Sequence, residues 1–288
     1  MSPRAWVLFG LCSVIWGVPY FFIKIAVDAG VHPAFVAWSR IALGAALLLP
    51  LALRRRALAG LRDRAGAIIG YTASEVAVPF VLIAIGEQYI SSSLAAILVA
   101  TMPLMVALLA LRLMPGERLS GARVVGLVMG FAGVVALLGF DVAGRASELL
   151  GAALVLVAAL GYAIAPFIIS RRLADLDPLG PVTASLLVAT VALAPAAIAT
   201  FPERSLAPMA LLAIAVLGVV CTAAGLIVFF RLIAEAGPSR ASVITYVNPL
   251  VAVLVGVMAL GERLTPIAVV GLLLILVGSW VSTGGSHP

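Results

Sequence analysis

Charge is what this chain has least of. Only 10% of its 288 residues are Asp, Glu, Lys or Arg, and 64% are hydrophobic. A soluble domain is nearer one quarter charged, so a soluble enzyme and a disordered chain are both excluded. Cysteine is nearly absent. Cys12 and Cys221 each fall inside an apolar run, which excludes a secreted disulfide scaffold and leaves them as small packing residues. Histidine occurs twice, as His32 in a loop and His287 at the tail. With no HExxH, CxxC or GxxxxGK[ST] pattern, no metal, cofactor or nucleotide site is expected. Lysine occurs once, at Lys24, beside 17 arginines.

What is present in excess is apolar length. Mean hydropathy is +1.25, too high for the alternating strands of a membrane β-barrel. The composition fits an all-α membrane protein in which about 20 apolar residues make each crossing. Apolar runs bounded by charge, Gly or Pro fall at 5–27, 33–53, 65–86, 91–113, 122–140, 149–170, 178–201, 207–232, 239–260 and 266–283. The first is too long for a signal-peptide core and reads as a retained span. These ten runs leave only short loops.

The net charge of +6 raises the question of nucleic acid, but all the arginines except Arg40 sit in loops, where the positive-inside rule is sufficient cause. One set of loops carries thirteen of them, from Arg4 through the Arg54–Arg56 run to Arg240. The opposite set carries three: Arg145, Arg204 and Arg263. That bias places both termini in the cytoplasm. Arginine in place of lysine, with much Ala and Gly, suggests a GC-rich bacterial genome and hence an inner membrane.

The chain also repeats itself. Residues 113–128, LMPGERLSGARVVGLV, resemble 258–273, MALGERLTPIAVVGLL. Met102-Pro103-Leu104 matches Asn248-Pro249-Leu250, and His32-Pro33 matches Asp177-Pro178. The halves 1–145 and 146–288 therefore each hold five spans. Five is odd, so the second half enters the membrane from the other side. Two inverted halves are the pattern of an alternating-access carrier with its site near midplane.

At these residues the sequence resembles the drug/metabolite transporter superfamily, specifically an EamA-type transporter. The likeness rests on Trp16-Gly17, Lys24, Ser39-Arg40, Pro103-Leu104 and Gly116-Glu117-Arg118-Leu119 in the first half. In the second it rests on Tyr246-Val247-Asn248-Pro249-Leu250 and Gly261-Glu262-Arg263-Leu264. The resemblance implies a ten-helix carrier, mostly of the exporting kind, for amino acids, other metabolites or drugs. Glu75 matches no motif of that family.

Polar residues within the spans are the candidate substrate-binding or coupling groups, because charge in hydrocarbon is costly and marks cavities or partners. Glu75 lies at the centre of its run, with Tyr71 at i−4 on the same face. It reads either as a proton or substrate-amine site or as the structural partner of Arg40, which lies at comparable depth. Trp16 shares a helix face with Ser13, Tyr20 and Lys24. The face reads as an aromatic cavity wall for an apolar or cationic ligand or as interhelical packing, with Lys24 an interface anchor. Tyr162 stands near the position of Trp16 in the second repeat. Tyr246 and Asn248 flank a carbonyl, that of Thr245, which Pro249 leaves without its helical donor. By the same repeat Arg40 aligns with Ser185 and Glu75 with Cys221. Glu117-Arg118 and Glu262-Arg263 read as structural turn residues. Gly126, Gly130 and Gly133 allow close helix contact, within the bundle or at a dimer seam.

The expected protein is a monomeric, non-enzymatic secondary transporter in the lipid bilayer. It exports a small amino-acid-like metabolite or drug by alternating access, with H⁺ as a candidate coupling ion and no role for nucleic acid. An uncoupled facilitative permease is the alternative, and a non-transporting scaffold or receptor a further one.

Overall fold

The computed structural model describes residues 1–114, 120–141 and 145–284. Gly116-Glu117-Arg118-Leu119 and His287 lie outside the described residues. Among those described there is no strand, and the apolar helices follow the runs of the sequence within a few residues at most ends. We label them α1 Pro3–Asp28, α2 Pro33–Arg54, α3 Leu61–Gly86, α4 Ser92–Leu113, α5 Gly121–Gly139, α6 Ala146–Leu173, α7 Leu179–Ala199, α8 Pro208–Ala236, α9 Ile244–Leu260 and α10 Pro266–Thr283. The ninth begins later than its run because a short helix, Pro238–Ala241, precedes it.

Local chemistry sets the ends. Proline opens α1, α2, α8 and α10, where its missing N–H costs nothing and its fixed φ favours the first turn. Side chains cap other starts: Ser2 accepts from the Ala5 amide, Ser91 from Leu94 and Ser120 from Arg123. Gly261, at φ 67°, ends α9 in the left-handed turn that glycine tolerates.

Each span finds its main partners in the other half. The helix α5 packs on α10, α2 on α7, α4 on α9, α3 on α6, and α1 on α8 and α9. Exchanging the halves converts the α1–α8 contact into α6–α3 and returns the α2–α7, α4–α9 and α5–α10 contacts to themselves. The core is accordingly shared. One cluster joins Leu98, Leu104 and Leu127 to Val155 and Ile275, and another joins Ile41 and Leu48 to Leu186 and Ala223. The fifth-span glycines serve this seam. A Cβ on Gly126 would stand 2.6 Å from the Gly278 carbonyl of α10, and one on Gly133 2.7 Å from that of Gly271. Gly130 instead receives Leu104 of α4. Large apolar side chains such as Val191, Ile198, Met258 and Trp280 point outward, as a lipid-facing belt requires.

Several helices depart from regular winding. In α1 the helix is interrupted at Val18, just before Pro19. In α4 it breaks at Ala100-Thr101, where the Thr101 hydroxyl donates to the Leu98 carbonyl at 2.6 Å. Pro103 then sits in the first turn of the following segment. Its counterpart Pro249 lies inside the unbroken Ile244–Leu260 helix, so the repeated prolines do not bend both halves alike. Wide π-helical turns occupy Thr72–Ala77 of α3 and Val216–Ala224 of α8, which are matching places in the two repeats. Such turns are frequent at functional sites.

Candidate functional site

These breaks and wide turns surround a cavity of about 420 Å³ between the halves. That volume lies within the range of about 300–1,000 Å³ usual for small-molecule sites. Its wall is made of repeat-related pairs. Trp16 and Tyr162 line it from α1 and α6, Arg40 and Ser185 from α2 and α7, and Glu75 and Cys221 from the two π-helical turns. Tyr20, Tyr71, Thr222, Ser242, Thr245 and Asn248 add to the polar lining, and Phe80, Leu226 and Phe229 are among its apolar groups.

Trp16 is held in place. Its indole N–H donates to the Cys221 carbonyl at 3.1 Å, a group turned inward by the wide turn of α8, and its ring lies 4.7 Å from that of Phe229. Gly225 makes room for it, since a Cβ there would meet the indole nitrogen at 2.6 Å. The Asn248 amide nitrogen, oriented so that both ends of the amide are satisfied, donates to the Ile244 carbonyl at 2.9 Å and to Ser13 of α1 at 3.3 Å.

Arg40 is 7% exposed, and its guanidinium lies 3.8 Å over the Phe80 ring. One nitrogen approaches the Thr222 hydroxyl at 3.5 Å, while Nε has no acceptor among the described residues. Glu75 is half-buried at the cavity wall, and its carboxylate makes no hydrogen bond to any described residue. The ion pairs among the described residues include neither of them. The Arg40–Glu75 pairing weighed from the sequence is thus not formed. Both residues line the same cavity from separate positions.

Six of the seven sequence-selected residues, namely Trp16, Arg40, Tyr71, Glu75, Tyr162 and Asn248, come together here. Tyr246 does not line this cavity, and its hydroxyl lies 2.9 Å from that of Thr283 on α10. Helix geometry is the reason. Ser242, Thr245 and Asn248 are three apart and share the cavity face, and Tyr246 is rotated about 100° from Thr245.

A second polar cluster lies at the end of the bundle that carries the 87–91 and 261–265 segments. There the Glu262 carboxylate accepts from the Ser92 amide at 2.8 Å, the Ser93 amide at 2.9 Å and both serine hydroxyls. The first turn of α4, in one half, is thus capped by the repeated GERL motif of the other, where an anion is favoured. Gly256 leaves the space, because a Cβ there would stand 2.5 Å from Glu262 Oε2. Lys24 donates to the Glu87 carbonyl at 2.8 Å and pairs with Asp28 at 3.1 Å, so it anchors this end. Sequence reasoning took Glu262 for a turn residue and passed over Glu87. The available signal was SSS at 91–93 opening an apolar run, with free helix N–H groups in need of an acceptor.

Comparison with known proteins agrees with this architecture. The family model described as "EamA-like transporter family" matches twice, over residues 4–139 and 149–284. The chain belongs to the EamA-like transporter family. Among its relatives in that sense, an uncharacterized transporter of Archaeoglobus fulgidus is 27% identical over 96% of this chain and 98% of its own length. The uncharacterized inner membrane transporter YedA of Escherichia coli K12 is 30% identical over 93% of this chain and 86% of its own. A solved crystal structure that is 20% identical covers 98% of this chain and 97% of that one with a TM-score of 0.67, a likeness of fold. This EamA-family chain is therefore a multi-pass membrane transporter and not an enzyme.

Proposed function

We propose that the protein exports a small amino-acid-like metabolite across a bacterial inner membrane by alternating access of the halves 1–145 and 146–288. The observation that carries the substrate class is the pair of opposite charges on one cavity wall, with no ion pair between them. Arg40 meets the substrate carboxylate and Glu75 its ammonium group, as charge-assisted hydrogen bonds favour. Trp16, Tyr20 and Phe229 hold the apolar part. Export is the direction that the family resemblance suggests. The arginine bias puts both termini inside. Without a nucleotide motif the energy comes from the substrate gradient or from H⁺, and one chain suffices because the site lies between its own halves.

Counterflow in proteoliposomes tests this. Zwitterionic amino acids are expected to exchange, and their amides and N-acyl derivatives to fail. Exchange of cationic dyes alone would transfer the site to drugs, and an imposed pH gradient without effect would mark an uncoupled permease. Orientation is read separately. Cysteines placed at the exposed Ala59 and Ala146 are expected to label from opposite sides with an impermeant maleimide.

A further inference from the structure

Glu87 is not used by the cavity. It follows α3 at the capped end of the bundle, is 0% exposed, and neither of its carboxylate oxygens has a hydrogen-bond partner among the described residues. An ionised carboxylate kept dry without donors is among the costliest groups a protein can bury. The Lys24 ammonium beside it offsets only part of that cost, since it bonds to the Glu87 backbone carbonyl and to Asp28 and reaches neither carboxylate oxygen. The other charged or titratable groups acting on it are Glu262, Arg40 and Tyr20, and Glu262 and Asp28 bear its own sign. At the same end of the bundle Glu262 of the second half is seated on Ser92 and Ser93 of the first.

We propose that Glu87 is a proton-binding site of this seal, occupied while the Glu262 latch is shut and vacated when the latch parts and water reaches the carboxylate. The proton comes from water on the open side, rests on one carboxylate oxygen of Glu87 and returns to water on reopening. Closing the latch therefore takes up one proton. By linkage, the shut form gains on the open form as pH falls. The gain levels off near the ordinary carboxylate value of about 4.3, where the open form is protonated too. The open form gains as pH rises. If the carrier reading holds, with this end outside, closure after substrate release takes a proton from the external side, which is half of a proton-for-substrate exchange.

The inference rests on that reading for this consequence only, and its test needs neither flux nor substrate. Spin labels at the exposed positions Gln88 and Arg263, with Cys12 and Cys221 replaced by alanine, report the latch distance in the full chain in lipid nanodiscs. From about pH 5 to about pH 9, the shut-to-open ratio is expected to fall by up to tenfold per unit, the slope for one proton. Glu87→Gln, which mimics the protonated acid, is expected to hold the latch shut with that slope removed. Glu87→Leu, equally uncharged, is expected to do the same and serves if the glutamine variant does not fold. A wild-type distance indifferent to pH overturns the proposal, and so does a wild-type slope that persists in either variant. Loss of transport with an intact slope would instead count against the carrier reading.

Discussion

The two halves place different chemistry at the same three positions of one repeat. The first offers an indole, a guanidinium and a carboxylate at Trp16, Arg40 and Glu75. The second offers a phenol, a hydroxyl and a thiol at Tyr162, Ser185 and Cys221. All six line one cavity, and the last pair sits in matching π-helical turns. Repetition therefore builds the frame: the cavity, the wide turns and a packing scheme that maps onto itself when the halves are exchanged. The departure from repetition supplies the charge. This cavity offers a guanidinium and a carboxylate from the first half and neutral groups at the matching places of the second, the contrast on which the proposed zwitterionic substrate rests.

Making the halves alike breaks that comparison most severely. Arg40→Ser gives the first half the residue of the second. Loss of a hydrogen bond to a charged group costs about 1.5–3 kcal/mol, so substrate affinity is expected to fall roughly ten- to hundredfold. Glu75→Gln is expected to lose a similar factor for zwitterions and less for substrates without an ammonium group. Because the two side chains form no ion pair, both variants should fold with melting temperatures near the wild type. Breaking a buried pair would cost about 3–5 kcal/mol, so a melting temperature that collapses in either variant, and is restored by joining the two, would return Arg40 and Glu75 to a structural role.

The seam between the halves comes next in size. Gly126→Ala drives a methyl group into the backbone of α10, and overpacking of this kind costs about 1–3 kcal/mol. Reduced thermal stability in detergent is expected, together with slower exchange in liposomes. Gly10→Ala in α1 is the control. No described atom beyond its own helix backbone and chain neighbours lies within 4 Å of its Cβ position, so the better helix former should add about 0.5–1 kcal/mol. Equal effects from the two substitutions would show that the α5–α10 contact is not tight.

How much of this was written in the sequence differs by feature. Spans and pseudo-symmetry were legible, because bilayer thickness fixes length and the GERL and VVGL matches fix the repeat. Six cavity residues were legible because a polar group in a lipid-crossing helix needs a reason to be there. Three features were not. The separation of Arg40 from Glu75 depends on how α2 and α3 are rotated, which depth along a span does not set. The latch joins Glu262 to Ser92 and Ser93, some 170 positions apart; the serine run marks a helix start in need of an acceptor, but nothing local names Glu262 as the one that serves. Tyr246 was misplaced for the opposite reason. It stands beside Asn248 in the chain, but neighbours in a helix do not share a face.

Tyr246 also provides the smallest and sharpest test. Removing its hydroxyl in Tyr246→Phe deletes one bond to Thr283, which is worth about 0.5–1.5 kcal/mol net. Stability should drop slightly, and the ranking of substrates should stay unchanged, because the group lies outside the cavity. Tyr162→Phe removes the same atom from a residue on the cavity wall, so there the ranking should change, with substrates that bear a polar side chain losing most. Relative exchange rates over one amino-acid panel, measured for both variants, decide between these outcomes. If the ranking moved with Tyr246→Phe and not with Tyr162→Phe, the substrate would lie nearer α10 than the cavity described, and the contrast between the halves would have to be drawn around a different set of residues.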